Sequence, residues 1–141
     1  MLSGVQEETI MLSHVTIGTN DPAAARRFYD AILLPLGWNT IHADEANGMI
    51  GYAKTETSTP QIWVMRPYDG RDATVGNGAM VALEAKARAA VDAFHATALA
   101  HGARDEGPAG LRPHYHANFY GAYVRDPEGN KLCCVCHRSV G

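Results

Sequence analysis

The residues able to do chemistry in this chain are few and unevenly placed. His14 stands near the start, Met80 and Glu84 lie mid-chain, and Arg112, His114, Tyr115, His116, Cys133, Cys134, Cys136 and His137 crowd toward the end. Cys133 and Cys136 spell C-x-x-C, but on a strand residues three apart face opposite sides, and no second pair completes a zinc site. Cys134 and Cys136 therefore read as small buried hydrophobes. If extended, the run Arg112-Pro113-His114-Tyr115-His116 places His114 and His116 on one face, and a strand through Cys133, Val135 and His137 does the same for those three. His116 and His137 are thus candidate ligands for a divalent Zn, Ni or Fe ion. Arg112, His114, His116 and Tyr115 together could grip an anionic or phenolic ligand. Glu84 shares a strand face with Met80 and would serve as a general base if buried. His95 and His101 fall on a helical stretch and His42 on a strand without a partner, so surface or structural roles suit them.

The elements that position these residues follow from periodicity. Leu12 to Thr19 alternates, with Val15 and Ile17 on one face and His14 and Thr16 on the other, as in a half-buried strand. Asn20 or Asp21 can cap a helix that starts at Pro22 and shows Ala25, Phe28, Tyr29, Ile32 and Leu33 at helical spacing, ending at Pro35 and Gly37. Strands are expected at Trp38 to Ala43, Met49 to Lys54 and Gln61 to Arg66. A polar, glycine-rich linker, 68–78, precedes a second series: a strand at Ala79 to Ala85, a helix from about Ala87 to His101 with Val91, Phe94, Ala98 and Leu99 on its face, a loop at Glu106 to Gly110, and a final hairpin. Val15, Phe28 and Leu33 recur as Val81, Phe94 and Leu99 at one constant offset, so the chain is an internal repeat. At a slightly longer offset Tyr52 overlays Tyr123 and Val64 overlays Val135. The hairpin turns at Asp126-Pro127-Glu128-Gly129-Asn130, where Pro presets φ, Gly supplies φ > 0 and Asp and Asn bond their own backbone.

Composition narrows the function classes. At 141 residues, 46% hydrophobic and 19% charged, the chain can bury a core as one domain. A net charge of -3 offers no broad basic surface for nucleic acid or an anionic membrane. No apolar run approaches the roughly 20 residues of a membrane span, and Glu7 and Glu8 interrupt the N-terminus where a signal peptide would be apolar. Three cysteines on one strand leave none for a framework disulfide, which fits a reducing, cytoplasmic setting. Residues 1–10 precede the first pattern and read as an extension or alternative start.

The repeat, with Ser13-His14-Val15-Thr16-Ile17-Gly18 at its first strand and Asp126-Pro127-Glu128-Gly129-Asn130 at its last hairpin, resembles the vicinal oxygen chelate superfamily of glyoxalase I, extradiol dioxygenases and bleomycin-resistance proteins. The resemblance covers Met11 to His137 and implies an α+β domain, 11–137, of two βαβββ modules, 11–67 and 79–137. Each module is a curved mixed sheet, a half-barrel cup. In such proteins metal ligands come from the first and last strands of each module. On this chain those places fall on His14, Ile62, Met80 and Cys133, and only His14 is a usual ligand. The resemblance leaves three readings: an apolar pocket without a metal, a site rebuilt from His116 and His137, or a soft His14, Met80 and Cys133 set suited to Cu(I). A cup would be lined by His14, Thr16, Ile62, Val64, Met80, Ala82, Cys133 and Val135. An enzyme of this kind would be a lyase or isomerase of the lactoylglutathione-lyase type, with His14, Glu84 and Tyr115 as its catalytic groups; a non-enzymatic member would sequester a small molecule. An extradiol dioxygenase fits poorly, since its iron needs two His and a Glu. No cofactor is expected at the usual position, and sheet edges and apolar faces lead to the expectation of a homodimer.

Overall fold

The computed structural model describes residues 11–139, so the extension at 1–10 lies outside the described residues. The order of elements is β1 (His14–Gly18), α1 (Pro22–Leu33), β2 (Asn39–Asp44), β3 (Met49–Ala53) and β4 (Gln61–Met65). It repeats as β5 (Met80–Glu84), α2 (Arg88–Ala100), β6 (Arg104–Leu111), β7 (Tyr120–Arg125) and β8 (Lys131–Cys136). This is the α+β, twice-βαβββ architecture that the repeat predicts. None of the described helices is long and apolar enough to cross a membrane.

Local chemistry accounts for the elements. The Asp21 carboxylate accepts from the Ala24 N–H to cap α1, and Pro22 fills the first turn, where a missing N–H costs nothing. A 3₁₀ turn, Leu34–Leu36, follows, and Gly37 at φ 88° closes it. The sheets run β1-β4-β3-β2 and β5-β8-β7-β6. In each, the first and last strands of the module pair parallel, β1 with β4 and β5 with β8, and the other pairs are antiparallel.

One face of each sheet is covered by its helix. Phe28 and Phe94 are 2% and 3% exposed, and they join Ile17, Ile32, Leu33, Ile50, Tyr52, Val64, Leu83, Val91, Val124, Leu132, Cys134 and Cys136 in a single hydrophobic cluster across both modules. Each large side chain so buried contributes roughly 1.5–3 kcal/mol. Cys134 and Cys136 are thus the buried hydrophobes expected of them.

Two readings of the second module are corrected. The segment Glu106 to Gly110 is not a loop but the middle of edge strand β6, with bulges on either side of Gly107. An edge strand tolerates Pro108 because no ladder partner needs its missing N–H. Leu99 does not repeat Leu33: it is 39% exposed, and Ala98, wholly buried, takes the core position.

The 126–130 turn does more than reverse the chain. Its Asp126 carboxylate, 4% exposed, accepts from the Glu128 and Asn130 N–H groups and from the Tyr29 hydroxyl of α1. Asn130 Nδ2 donates to Gly18 O at 3.1 Å, and the Asn20 N–H donates to Glu128. The hairpin of module two therefore clasps the β1–α1 corner of module one.

Candidate functional site

The faces opposite the helices are open, and strand register decides which side chains they carry. In the first sheet His14 pairs with Gln61, Val15 with Ile62 and Thr16 with Trp63. Paired residues share a face, so His14, Thr16, Gln61, Trp63 and Met65 lie on the open side while Val15, Ile17, Ile62 and Val64 face α1. Ile62 and Val64, expected in the cup, are instead core residues, 3% and 1% exposed. In the second sheet Ala82 pairs with Cys133 as Thr16 pairs with Trp63. The residue equivalent to Cys133 is thus Trp63 rather than Ile62. The overlay of Val64 on Val135 is one residue out of register, and a one-residue slip exchanges the two faces of a strand.

Trp63 dominates the open face of module one. It lies on Gly51, where a Cβ would fall 2.7 Å from its ring, so no larger residue fits beneath it. Its Nε1 donates to Gln61 Oε1 at 2.9 Å, and the His42 ring sits 5.7 Å away. His14 is exposed, with Ser13 Oγ 2.8 Å from its Nδ1.

The open face of module two is built differently. Tyr123 pairs with Cys133 across β7 and β8. Arg112 folds back over it, its guanidinium 5.5 Å from the ring, and donates to Gly110 O at 2.9 Å and Pro108 O at 2.7 Å. The Lys131 ammonium lies 5.6 Å from the same ring. Beneath this cover Cys133 is 1% exposed, although it belongs to the open side, and Val135, which pairs with Gly121, is 6% exposed. Burial raises the Cys133 thiol pKa, against the pull of the Tyr123 hydroxyl and the Arg112 and Lys131 charges, and burial with the neighbouring thiol pushes Tyr123 up to about 12. At the rim Phe119 covers Gly121, Tyr115 is 61% exposed with its ring 4.8 Å from Phe119, and His114 packs on Tyr115 at 4.3 Å.

His116 and His137 do come together. The Asn118 N–H donates to His116 Nδ1, so a neutral His116 carries its proton on Nε2 and donates it to His137 Nδ1 at 2.8 Å. His114, stacked on Tyr115, does not join them through any hydrogen bond among the described residues. Glu84 is exposed, and the burial on which its role as a general base depends is not found. No hydrogen bond among the described residues joins any two of His14, Glu84 and Tyr115. A cleft of about 160 Å³ links the two sheets, and Thr16, Met80 and Lys131 line it together with linker residues Thr74 to Gly76.

This chain belongs to the glyoxalase/bleomycin resistance protein/dioxygenase superfamily, whose family model matches residues 11–134. It is similar to a glyoxalase/bleomycin resistance protein from Albidiferax ferrireducens T118, 34% identical over 92% of this chain and 100% of that one, with a TM-score of 0.78. A glyoxalase-related enzyme from Fulvimarina pelagi (21% identity, 89% and 87% covered, TM-score 0.69) and a lactoylglutathione lyase from Agrobacterium tumefaciens (16%, 93% and 96%, 0.64) share the fold. No curated protein matches the chain.

A divalent ion at the superfamily's strand positions would meet His14, Trp63, Met80 and Cys133, and this set does not fit it. Indole offers no lone pair, thioether is a poor ligand for Zn²⁺, Ni²⁺ or Fe²⁺, and the buried thiol resists becoming the thiolate that binds metal. Among the described residues no three His, Cys, Asp or Glu side chains converge as a ligand set.

Trp63, Phe119, Tyr123 and Lys131 were absent from the candidates that sequence suggests. Gly51, a glycine inside a strand, was the available sign that a large group lies close to the backbone there.

Proposed function

We propose that this chain binds a planar organic molecule on the open faces of its sheets, without the metal ion of its metalated relatives, as a sequestering protein rather than a lyase. The observation that carries this is Trp63: a half-buried indole laid on Gly51, at the strand position where a metal site would need a donor. An aromatic platform of this kind supplies apolar area and a stacking surface at little entropic cost. A lyase would need an electrophile to hold an enediolate, and the dispersed His14, Glu84 and Tyr115 offer no concerted replacement for one.

N-phenyl-1-naphthylamine, a neutral planar dye, tests this directly. Saturable one-to-one binding is expected, weakened at least tenfold by Trp63→Ala and little affected by Trp38→Phe, since Trp38 is only 8% exposed and lies in the core. Absence of saturable binding, or metal-dependent turnover of a glutathione hemithioacetal, would overturn the reading.

A further inference from the structure

The register of the second sheet sets one row of its open face against elementary electrostatics. Met80, Lys131, Arg125 and Arg104 are successive neighbours across β5, β8, β7 and β6, so three cations stand side by side on one face. Like charges directly opposite on a sheet are destabilising. One acid answers them: Glu106 accepts from Arg125 Nε at 2.8 Å, and that pair is complete. Lys131 and Arg112 have no carboxylate partner among the described residues, and both approach the ring of Tyr123. Arg112 spends two of its five donors on Pro108 O and Gly110 O, which aim the guanidinium without neutralising it. Lys131 also lines the cleft between the two sheets, together with Thr16 and Met80.

We infer that the ligand is an aromatic or otherwise planar anion, a carboxylate, sulfonate or phosphate, whose acid group sits between Arg112 and Lys131 beside Tyr123. The inference rests on the reading of the open faces as the binding surface and adds the charge of what they take. A neutral ligand would leave the cation row as repulsive as before, whereas an anion relieves it and gains charge-assisted hydrogen bonds from Arg112. The exposed Tyr115 and the Phe119 ring beside it supply a stacking surface at the rim.

The test compares two dyes with one ring system, N-phenyl-1-naphthylamine and its sulfonate, 8-anilinonaphthalene-1-sulfonate. The sulfonate is expected to bind at least tenfold more tightly in low salt, to lose that advantage as salt rises, and to raise the melting temperature. Lys131→Gln and Arg112→Gln should each weaken the sulfonate about three- to tenfold and weaken the neutral dye by clearly less. Because Arg112 also bonds its own loop, Arg112→Lys, which keeps the charge, should retain more sulfonate affinity than Arg112→Gln. Equal affinities for the two dyes, or indifference to both Lys131→Gln and Arg112→Gln, would overturn the anion while leaving the binding surface standing. Failure of both dyes to bind would overturn the surface and the anion together.

Discussion

The two modules share one skeleton and differ on the face that the skeleton does not use. Toward the helices they correspond closely: Ile17 with Leu83, Phe28 with Phe94, Ile62 with Leu132, Val64 with Cys134. On the open side module one presents a neutral aromatic platform, Trp63 on Gly51, while module two presents cations over Tyr123 with Cys133 sealed beneath. Glycine makes room in both, Gly51 under an indole and Gly107 and Gly110 under a guanidinium. The core face is constrained by packing density, so duplicated halves stay alike there; the open face is free to diverge, and that is where function on a shared fold resides.

The strongest test of the shared half is the core. Phe28→Ala and Phe94→Ala should each cost about 3–5 kcal/mol, measured by urea unfolding. A Phe94→Ala loss far below that of Phe28→Ala would break the equivalence of the two helices.

The divergent half is tested by restoring ligands. Met80→His with Trp63→Glu adds an imidazole and a carboxylate to His14 on the open faces. Calorimetry should show Zn²⁺ or Ni²⁺ binding at least a hundredfold tighter than to the natural chain, about 2.7 kcal/mol. His14→Ala in that background should abolish the gain. Tight one-to-one binding by the natural chain, lost on His14→Ala, would contradict the register that puts an indole among the four positions.

How much of this was legible in the sequence depends on which face a residue occupies. The fold was readable because helix phase and the repeat of Val15 and Phe28 as Val81 and Phe94 report the buried side. The register of β4 was not: Ile62, Trp63, Val64 and Met65 are all apolar, so alternation could not say which pair faced inward, and the coincident tyrosines and valines of the two hairpins favoured the wrong alignment. β6 was hidden because its glycines answer to Arg112 and Tyr123 lying across them rather than to a turn. Arg112, His114, His116 and His137 were singled out by type, but their grouping into a cation over Tyr123, a ring stacked on Tyr115 and a bonded histidine pair depends on contacts that spacing does not encode.

The modules also differ in what their hairpin turns do. The turn of module two carries a buried carboxylate that reaches the other module, so Asp126→Ala strands the Tyr29 hydroxyl and two turn N–H groups, at a cost of about 2–3 kcal/mol. In the β3–β4 connection the Ser58 hydroxyl bonds Thr55 of its own loop, and Ser58→Ala should cost under about 1 kcal/mol. Thermal melts of the two variants compare the turns directly.

Alkaline pH separates the modules by where the loss of stability begins. Burial, with neighbouring thiols adding to it, pushes the Cys134 thiol in module two up to about 12, and burial raises Cys133 as well. In module one burial raises the Tyr29 hydroxyl, aided by the charge and hydrogen bond of Asp126, and burial with the Asp30 hydrogen bond raises Tyr52. All four groups are neutral when protonated, and folding holds their protons more tightly than the unfolded chain does. Their contribution to stability is therefore complete below the unfolded pKa and is lost as pH rises toward the folded one. Unfolded thiols release protons from about pH 9 and unfolded tyrosines from about pH 10, so the thiols of module two should begin the decline, and Tyr29 and Tyr52 of module one, with Tyr123 of module two, should steepen it. Each group adds a slope of at most about 1.4 kcal/mol per pH unit. Urea unfolding between pH 8 and pH 11 should show the early decline flattened by Cys134→Ala and the later one by Tyr29→Phe, compared with each variant's own stability at pH 8. A stability curve flat to pH 11 would mean that these side chains are open to water, and that neither the sealed strand of module two nor the clasp at Tyr29 is closed as described.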